Sequence, residues 1–160
     1  KDFDEARWQT LRSQARKLSQ KAAVPARIIA SDIDPQAITA AKKNAATAGV
    51  EHLIEFYTCD FTDTPIPRQP GLIILNPEYG QRLGEIAQLE VTYKRIGDFF
   101  KQRCPGYTGY IFTGNPDLAK KVGLRTSRKI PFFNADIECR LLKYDLYPGT
   151  KKSAPAAGEE

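Results

Sequence analysis

The feature that most constrains this chain is the run Gly71-Leu72-Ile73-Ile74-Leu75, which stops abruptly at Asn76-Pro77-Glu78-Tyr79. Four consecutive apolar residues bounded by glycine and proline read as a buried strand, as in the centre of a parallel sheet. Proline cannot donate to a ladder, and it biases Asn76 away from helix. The Asn76 amide is therefore expected at the carboxyl end of a strand, where open α/β sheets bind ligands. An amide offers one acceptor oxygen and two donors, and a tyrosine ring offers a stacking face. Such a pair suits a planar group that carries an amine. The alternative is a strand followed by an ordinary tight turn.

Around this run the chain alternates between the two periodicities. Residues 3–22 carry Trp8, Leu11, Ala15, Leu18 and Ala22 at helical spacing, with Arg12, Arg16 and Lys21 off the stripe. A strand follows at Arg27–Asp32. Asp34-Pro35 then opens a helix, as cap and first residue, and Gly49 closes it. Its buried face is Ile38, Ala41, Ala45 and Ala48. Leu53–Tyr57 is a second strand, and Thr62–Pro70, with three prolines, a loop. After the central strand come a helix over Gly84–Arg103, with Ile86, Leu89, Tyr93, Ile96 and Phe100 inward, and a strand over Tyr107–Thr113. A short helix starts at Asn115-Pro116-Asp117 and runs through Lys121. Leu124–Phe133 and Ile137–Tyr147 form a hairpin around Asn134-Ala135-Asp136. In the last strand the apolar parity changes at Leu141-Leu142, which predicts a bulge. Residues 148–160 have the composition of a disordered tail. The order predicts an α/β domain over residues 1–147, mostly parallel, with a C-terminal antiparallel hairpin.

Composition narrows the chemistry. The 160 residues are 41% hydrophobic, enough to bury one core, and the formal charge of +5 permits an anionic partner. Cys59, Cys104 and Cys139 are scattered, and His52 is the only histidine. This argues against a zinc site, a disulfide framework or a histidine-based triad, and for buried thiols in a reducing, cytoplasmic setting. No apolar run approaches the roughly 20 residues of a membrane helix. The chain has no methionine, so it is expected to be part of a longer or processed protein.

Asp32, Asp60 and Asn76 stand at the ends of three successive strands and are expected along one rim. A carboxylate there can accept both hydroxyls of a ribose, and a second can accept an exocyclic amine. Lys120, Lys121, Arg125, Arg128 and Lys129 form a basic cluster that suits RNA phosphates or plain solvent.

Ser31-Asp32-Ile33-Asp34-Pro35, with Ala41 and Asn44 beyond it, resembles the second motif of class I S-adenosylmethionine-dependent methyltransferases. Thr58-Cys59-Asp60-Phe61 is similar to their third motif. Leu75-Asn76-Pro77-Glu78-Tyr79 resembles the fourth, usually Asn-Pro-Pro-Tyr, of the amino-group methylases. The continuation Gly80-Gln81-Arg82-Leu83-Gly84 is similar to RNA methylases whose catalytic domain often follows a THUMP domain, notably the 23S rRNA guanine-N2 methyltransferases. Asn134-Ala135-Asp136-Ile137-Glu138-Cys139-Arg140-Leu141 resembles that family's last hairpin. The resemblance implies a Rossmann-like sheet and S-adenosylmethionine as cofactor, held by Asp32 at the ribose, Ile33 and Phe61 beside the adenine, and Asp60 at its amine. It implies that Asn76 and the Pro77 carbonyl accept from the target amine, that Tyr79 stacks on the base, and that Arg82 meets phosphate or base. The implied target is guanine N2 in ribosomal RNA. The same Asn-Pro motif serves adenine N6 in DNA and glutamine N5 in protein, and a non-catalytic nucleic-acid-binding domain is the competing class. Two departures matter. Glu78 replaces the second proline, where it would tune the site or accept from a guanine N1–H or amine. No Gly-x-Gly segment precedes Asp32, so the first strand and its glycine loop are expected in the upstream part of the same catalytic domain.

Overall fold

The computed structural model describes residues 3–19, 24–79, 83–134 and 137–148. They form two compact units, Lys1–Pro65 and Ile66–Glu160. The strands pair in two groups, one of two strands and one of four.

The first unit begins with helix α1 (Glu5–Ser19). Its apolar stripe lies open, with Trp8, Leu11 and Leu18 all at least half exposed. Strands β1 (Ile28–Asp32) and β2 (Ile54–Thr58) pair in parallel, Ile28 opposite Ile54 and Asp32 opposite Thr58. Helix α2 (Pro35–Ala48) joins them and packs on both. Asp34 caps it by accepting from the Gln36 N–H at 2.8 Å, and Pro35 stands in its first turn. Gly49 closes it in the left-handed conformation (φ 74°), its N–H turned back to the carbonyls of Ala45 and Ala46. Ile38 and Ala45 are buried as expected, Ala41 is half-buried, and Ala48 is exposed. Two short 3-10 turns (51–53 and 61–63) flank β2, the second within the segment expected to be loop.

The second unit is a four-stranded sheet of order β3-β4-β6-β5. Strand β3 (Leu72–Leu75) pairs in parallel with β4 (Thr108–Thr113), and β6 (Ile137–Asp145) is antiparallel to both β4 and β5 (Arg128–Asn134). The all-apolar β3 stands at the end of this four-stranded group, with Leu72 and Ile74 about 60% exposed. The expected bulge at Leu141-Leu142 is absent. β6 keeps one unbroken register with both neighbours, and the change of apolar parity reflects what each face meets. Leu142, Tyr144 and Leu146 are buried on one face, where Tyr144 meets Phe100, while on the opposite face Cys139 is buried between the half-buried Ile137 and Leu141. The strand expected from Leu124 begins at Arg128, because Gly123 turns the chain at φ 65° and the ladder to β6 starts at the Ser127 N–H. The hairpin tip, 135–136, lies outside the described residues.

Helix α3 (Leu83–Arg103) supplies the core: Tyr93, Ile96 and Phe100 are buried against Ile111, Leu142 and Tyr144. The Phe100 and Tyr144 rings lie 5.8 Å apart, and Gly109 makes room, since a Cβ there would sit 2.8 Å from the Phe100 ring. Helix α4 (Pro116–Lys121) packs so closely on α3 that Gly97 touches the Val122 backbone. The proline-rich loop is fastened by Tyr107, whose hydroxyl lies 2.6 Å from the Pro67 carbonyl and 2.8 Å from that of Gln69. Among the described residues, no helix is long and apolar enough to cross a membrane.

Candidate active site

In the first unit the carboxyl ends of β1 and β2 are adjacent, so Asp32 and Asp60 share one rim. Each carboxylate is locked by backbone just beyond it. Asp32 Oδ1 accepts from the Asp34 N–H at 2.8 Å. Asp60 Oδ1 accepts from the Thr62 N–H at 2.9 Å and the Thr62 hydroxyl at 2.7 Å, capping the 3-10 turn 61–63. These are local Asx turns, and they fix the acid groups without needing a ligand. Beside Asp32 the side chain of Ile33 is 70% exposed, an uncommon position for isoleucine. Phe61 is half-buried next to Asp60. The Ser31 and Thr64 hydroxyls, 2.7 Å apart, tie the end of β1 to the chain just after the 3-10 turn 61–63. A fixed carboxylate beside an uncovered apolar side chain suits a ribose carrying a flat ring.

In the second unit Asn76-Pro77-Glu78-Tyr79 leaves the carboxyl end of β3 as expected. Asn76 and Glu78 are exposed; Pro77 and Tyr79 are half-buried. Tyr79 is held from three sides. Its ring lies against Gly114, where a Cβ would fall 3.0 and 3.1 Å from two ring carbons. Its hydroxyl lies 3.9 Å from the Sγ of buried Cys139. Its carbonyl accepts from Asn115 Nδ2 at 3.4 Å.

Asn115 uses both halves of its amide. Oδ1 accepts from the Asp117 and Leu118 N–H groups at 3.0 and 3.1 Å, capping α4, while Nδ2 reaches back to Tyr79. Its backbone N–H donates to Thr113 Oγ1 at 3.1 Å, and Thr113 in turn is 2.7 Å from the Tyr93 hydroxyl. Both residues are buried. Burial raises the Tyr93 pKa, and the Thr113 hydrogen bond partly offsets this. A chain of hydrogen bonds thus runs from α3 through the end of β4 to the Tyr79 backbone.

Sequence reasoning placed Asn115 only at the start of a short helix, Thr113 at the end of a strand and Tyr93 on the inner face of a helix, and passed over Gly114. The available signal was the repeat itself: strand, then Asn-Pro, occurs at both 76–77 and 115–116. Arg82 lies outside the described residues. Asp32 and Asp60 belong to one unit and Asn76 to the other.

Residues 3–143 match the family model for the RMKL-like methyltransferase domain. The chain is 36% identical over 145 residues to the ribosomal RNA large subunit methyltransferase K/L of Syntrophotalea carbinolica, covering 87% of this chain and 20% of that protein. Two solved structures are similar: a possible methylase from Clostridium difficile 630 (TM-score 0.76, 26% identity, 93% of this chain and 39% of that one) and a protein from Listeria monocytogenes titled an N6-adenine-specific DNA methylase by prediction (0.70, 27%, 89% and 36%). The chain therefore spans about a fifth to two fifths of the length of these relatives.

Proposed function

Because the chain belongs to the RMKL-like methyltransferase domain family, we propose that it takes part in transferring a methyl group from S-adenosylmethionine to the exocyclic amine of a base in RNA, with guanine N2 of large-subunit ribosomal RNA as the target. The observation that carries this is the turn at 76–79. An amide and a backbone carbonyl are presented at a strand end, next to an aromatic ring held by Gly114, Cys139 and Asn115. The name of the Syntrophotalea relative supports RNA as the substrate over DNA or protein.

The cofactor, when bound, supplies an electrophilic methyl group on a sulfonium. Asp32 would accept from its ribose hydroxyls, Ile33 and Phe61 would flank its adenine, and Asp60 would accept from the adenine amine. The geometry of the first unit fits this assignment: Asp32 is already oriented by the Asp34 N–H, and Ile33 is left uncovered beside it. On the second unit, Asn76 Oδ1 and the Pro77 carbonyl would accept the two amine hydrogens and turn the nitrogen lone pair toward the methyl donor. Tyr79 would stack on the extracted base and return part of the stacking energy lost on extraction. No strong base is needed, since the rate advantage is one of orientation. Exposed Glu78 would accept from guanine N1–H, which adenine lacks, and so favour guanine.

The test uses the intact protein, labelled S-adenosylmethionine and ribosomal RNA. Asn76→Ala is expected to lower methyl transfer about 100-fold or more, with cofactor affinity within about threefold of wild type. Asp32→Ala is expected to weaken cofactor binding first. Near-normal turnover in Asn76→Ala would sink the assignment, and nucleoside analysis of the product identifies the base.

A further inference from the structure

Besides the turn at 76–79, the second unit contains a cavity of about 470 Å³ between α4 and the β5–β6 pair. Its floor is apolar: Leu142 is 3% exposed, and Ala119, Leu124 and Pro116 complete it. Its rim is cationic, with Lys120, Lys129 and Arg140 against the single acid Glu138. Glu138 lies 3.0 Å from Arg140, and Lys120 is paired with Asp117 at 2.8 Å. Lys129 is exposed and carries no ion pair among the described residues. A second cavity, about 750 Å³, shares Leu124 and Thr126 as a common wall and adds Lys101 and Arg125 with the acid Asp145. Thr113 and Gly114 also line the first cavity, which lies on the Glu138, Arg140 and Leu142 side of β6, whereas the Tyr79 ring meets Gly114 on the Ile137 and Cys139 side.

We infer that this groove holds a single-stranded stretch of the RNA substrate. The inference rests on the function proposed above and names how the rest of the substrate is held. An apolar lining beside three cations and one acid matches a nucleotide, whose base is planar and apolar on its face and whose phosphate is anionic. The first cavity falls within the range of small-ligand pockets. A second basic cavity sharing its wall extends the groove into a track, which a strand uses and a free mononucleotide does not. Lys129 and Arg140 contact the phosphates of the strand, and Leu142 and Leu124 lie under one of its bases. The basic cluster of the sequence is thereby divided. Lys120 and Lys129 face the first cavity and Arg125 the second, while Lys121, paired with Glu90 at 3.0 Å, and Arg128 line neither.

The test is fluorescence anisotropy of the intact protein with a labelled single-stranded RNA 20-mer of mixed sequence, without cofactor, over a series of salt concentrations. Lys129→Ala/Arg140→Ala is compared with a charge-matched control on α1, Arg12→Ala/Lys17→Ala. Expected are an affinity about tenfold lower for the first variant at low salt and a slope of log K against log salt shallower by about 1.4, two lost phosphate contacts at about 0.7 each. The control stays within about twofold of wild type. An unchanged affinity and slope in Lys129→Ala/Arg140→Ala overturns the groove, and so does an equal loss in the control. Methyl transfer is a separate readout. A protein that binds RNA through Lys129 and Arg140 yet transfers no methyl group sinks the function and keeps the groove; the reverse result keeps the function and sinks the groove.

Discussion

Gly97→Ala separates local propensity from packing, because the two demand opposite signs. Gly97 lies in the interior of α3, where alanine is ordinarily better than glycine by about 1 kcal/mol. In this fold an alanine Cβ would fall 1.9 Å from the Val122 carbonyl oxygen and 2.9 Å from its carbon. A carbon and a carbonyl oxygen approach to about 3.3 Å, so the two backbones must part by roughly 1.4 Å. No rotamer relieves the overlap, since every atom involved is backbone or Cβ. Retreat of α4 would also loosen Leu118 and Val122, each 1% exposed. Overpacking costs about 1–3 kcal/mol and more when backbone must move. Taking about 3 kcal/mol against about 1 of propensity leaves about 2 kcal/mol of net destabilisation, or a Tm lower by about 4–8 °C for a chain of this length. Thermal and urea unfolding followed by far-UV circular dichroism measures it, with Lys94→Ala, on the solvent side of the same helix, as control. A Gly97→Ala variant as stable as wild type, or more so, would refute the close α3–α4 contact.

Three further outcomes are expected. Asn115→Asp keeps an oxygen to cap α4 but cannot donate to the Tyr79 carbonyl. Tm should therefore stay within about 2 °C while methyl transfer by the intact protein drops severalfold; a normal rate would remove Asn115 as a positioning residue. Tyr107→Phe leaves the Pro67 and Gln69 carbonyls without their hydroxyl donor and should cost about 1 kcal/mol, with faster proteolytic cleavage in the segment 64–70; unchanged cleavage would contradict the fastening. Cys104 is buried, and burial pushes its thiol up to about 12, so a thiol reagent at pH 8 should modify Cys59 rapidly and reach Cys104 and Cys139 only on unfolding. In the unfolded chain that thiol ionises near about 8.5, so between there and about 12 the folded state binds more protons and stability must fall as pH rises. Burial also pushes Tyr144 up to about 12 and adds to the fall. A urea midpoint that does not drop between pH 8 and pH 10.5 would count against both burials.

What could be read from the sequence was whatever depends on neighbours along the chain. Asp34-Pro35 and Gly49 bound α2 because capping is local, and the stripe from Leu89 to Phe100 is buried because its spacing allows one inner face. The Asn76 turn was legible because proline acts on its own neighbours. Contacts between distant segments escaped. Nothing around Gly114 announces the Tyr79 ring, 35 residues earlier, and only the pairing of β4 with β3 brings them together. The parity change at Leu141-Leu142 misled for the same reason. A bulge and a change of covering partner give the same pattern, and only the ladder tells them apart. The place of β3 at the end of its group of strands was likewise invisible, since four apolar residues say that a strand is to be covered and not by what.

The turn at 76–79 alternates between what is held and what is offered. Pro77 is set by its own ring, and Tyr79 is clasped by Gly114, Asn115 and Cys139, whereas Asn76 and Glu78 project outward. For protein engineering the four positions are therefore unequal. A library that varies Tyr79 must also vary its clasp, and most members will lose the loop before they gain a new preference. A library at position 78 alone varies an exposed side chain. If base choice on this scaffold can be rewritten by single substitutions, that is the position at which to begin.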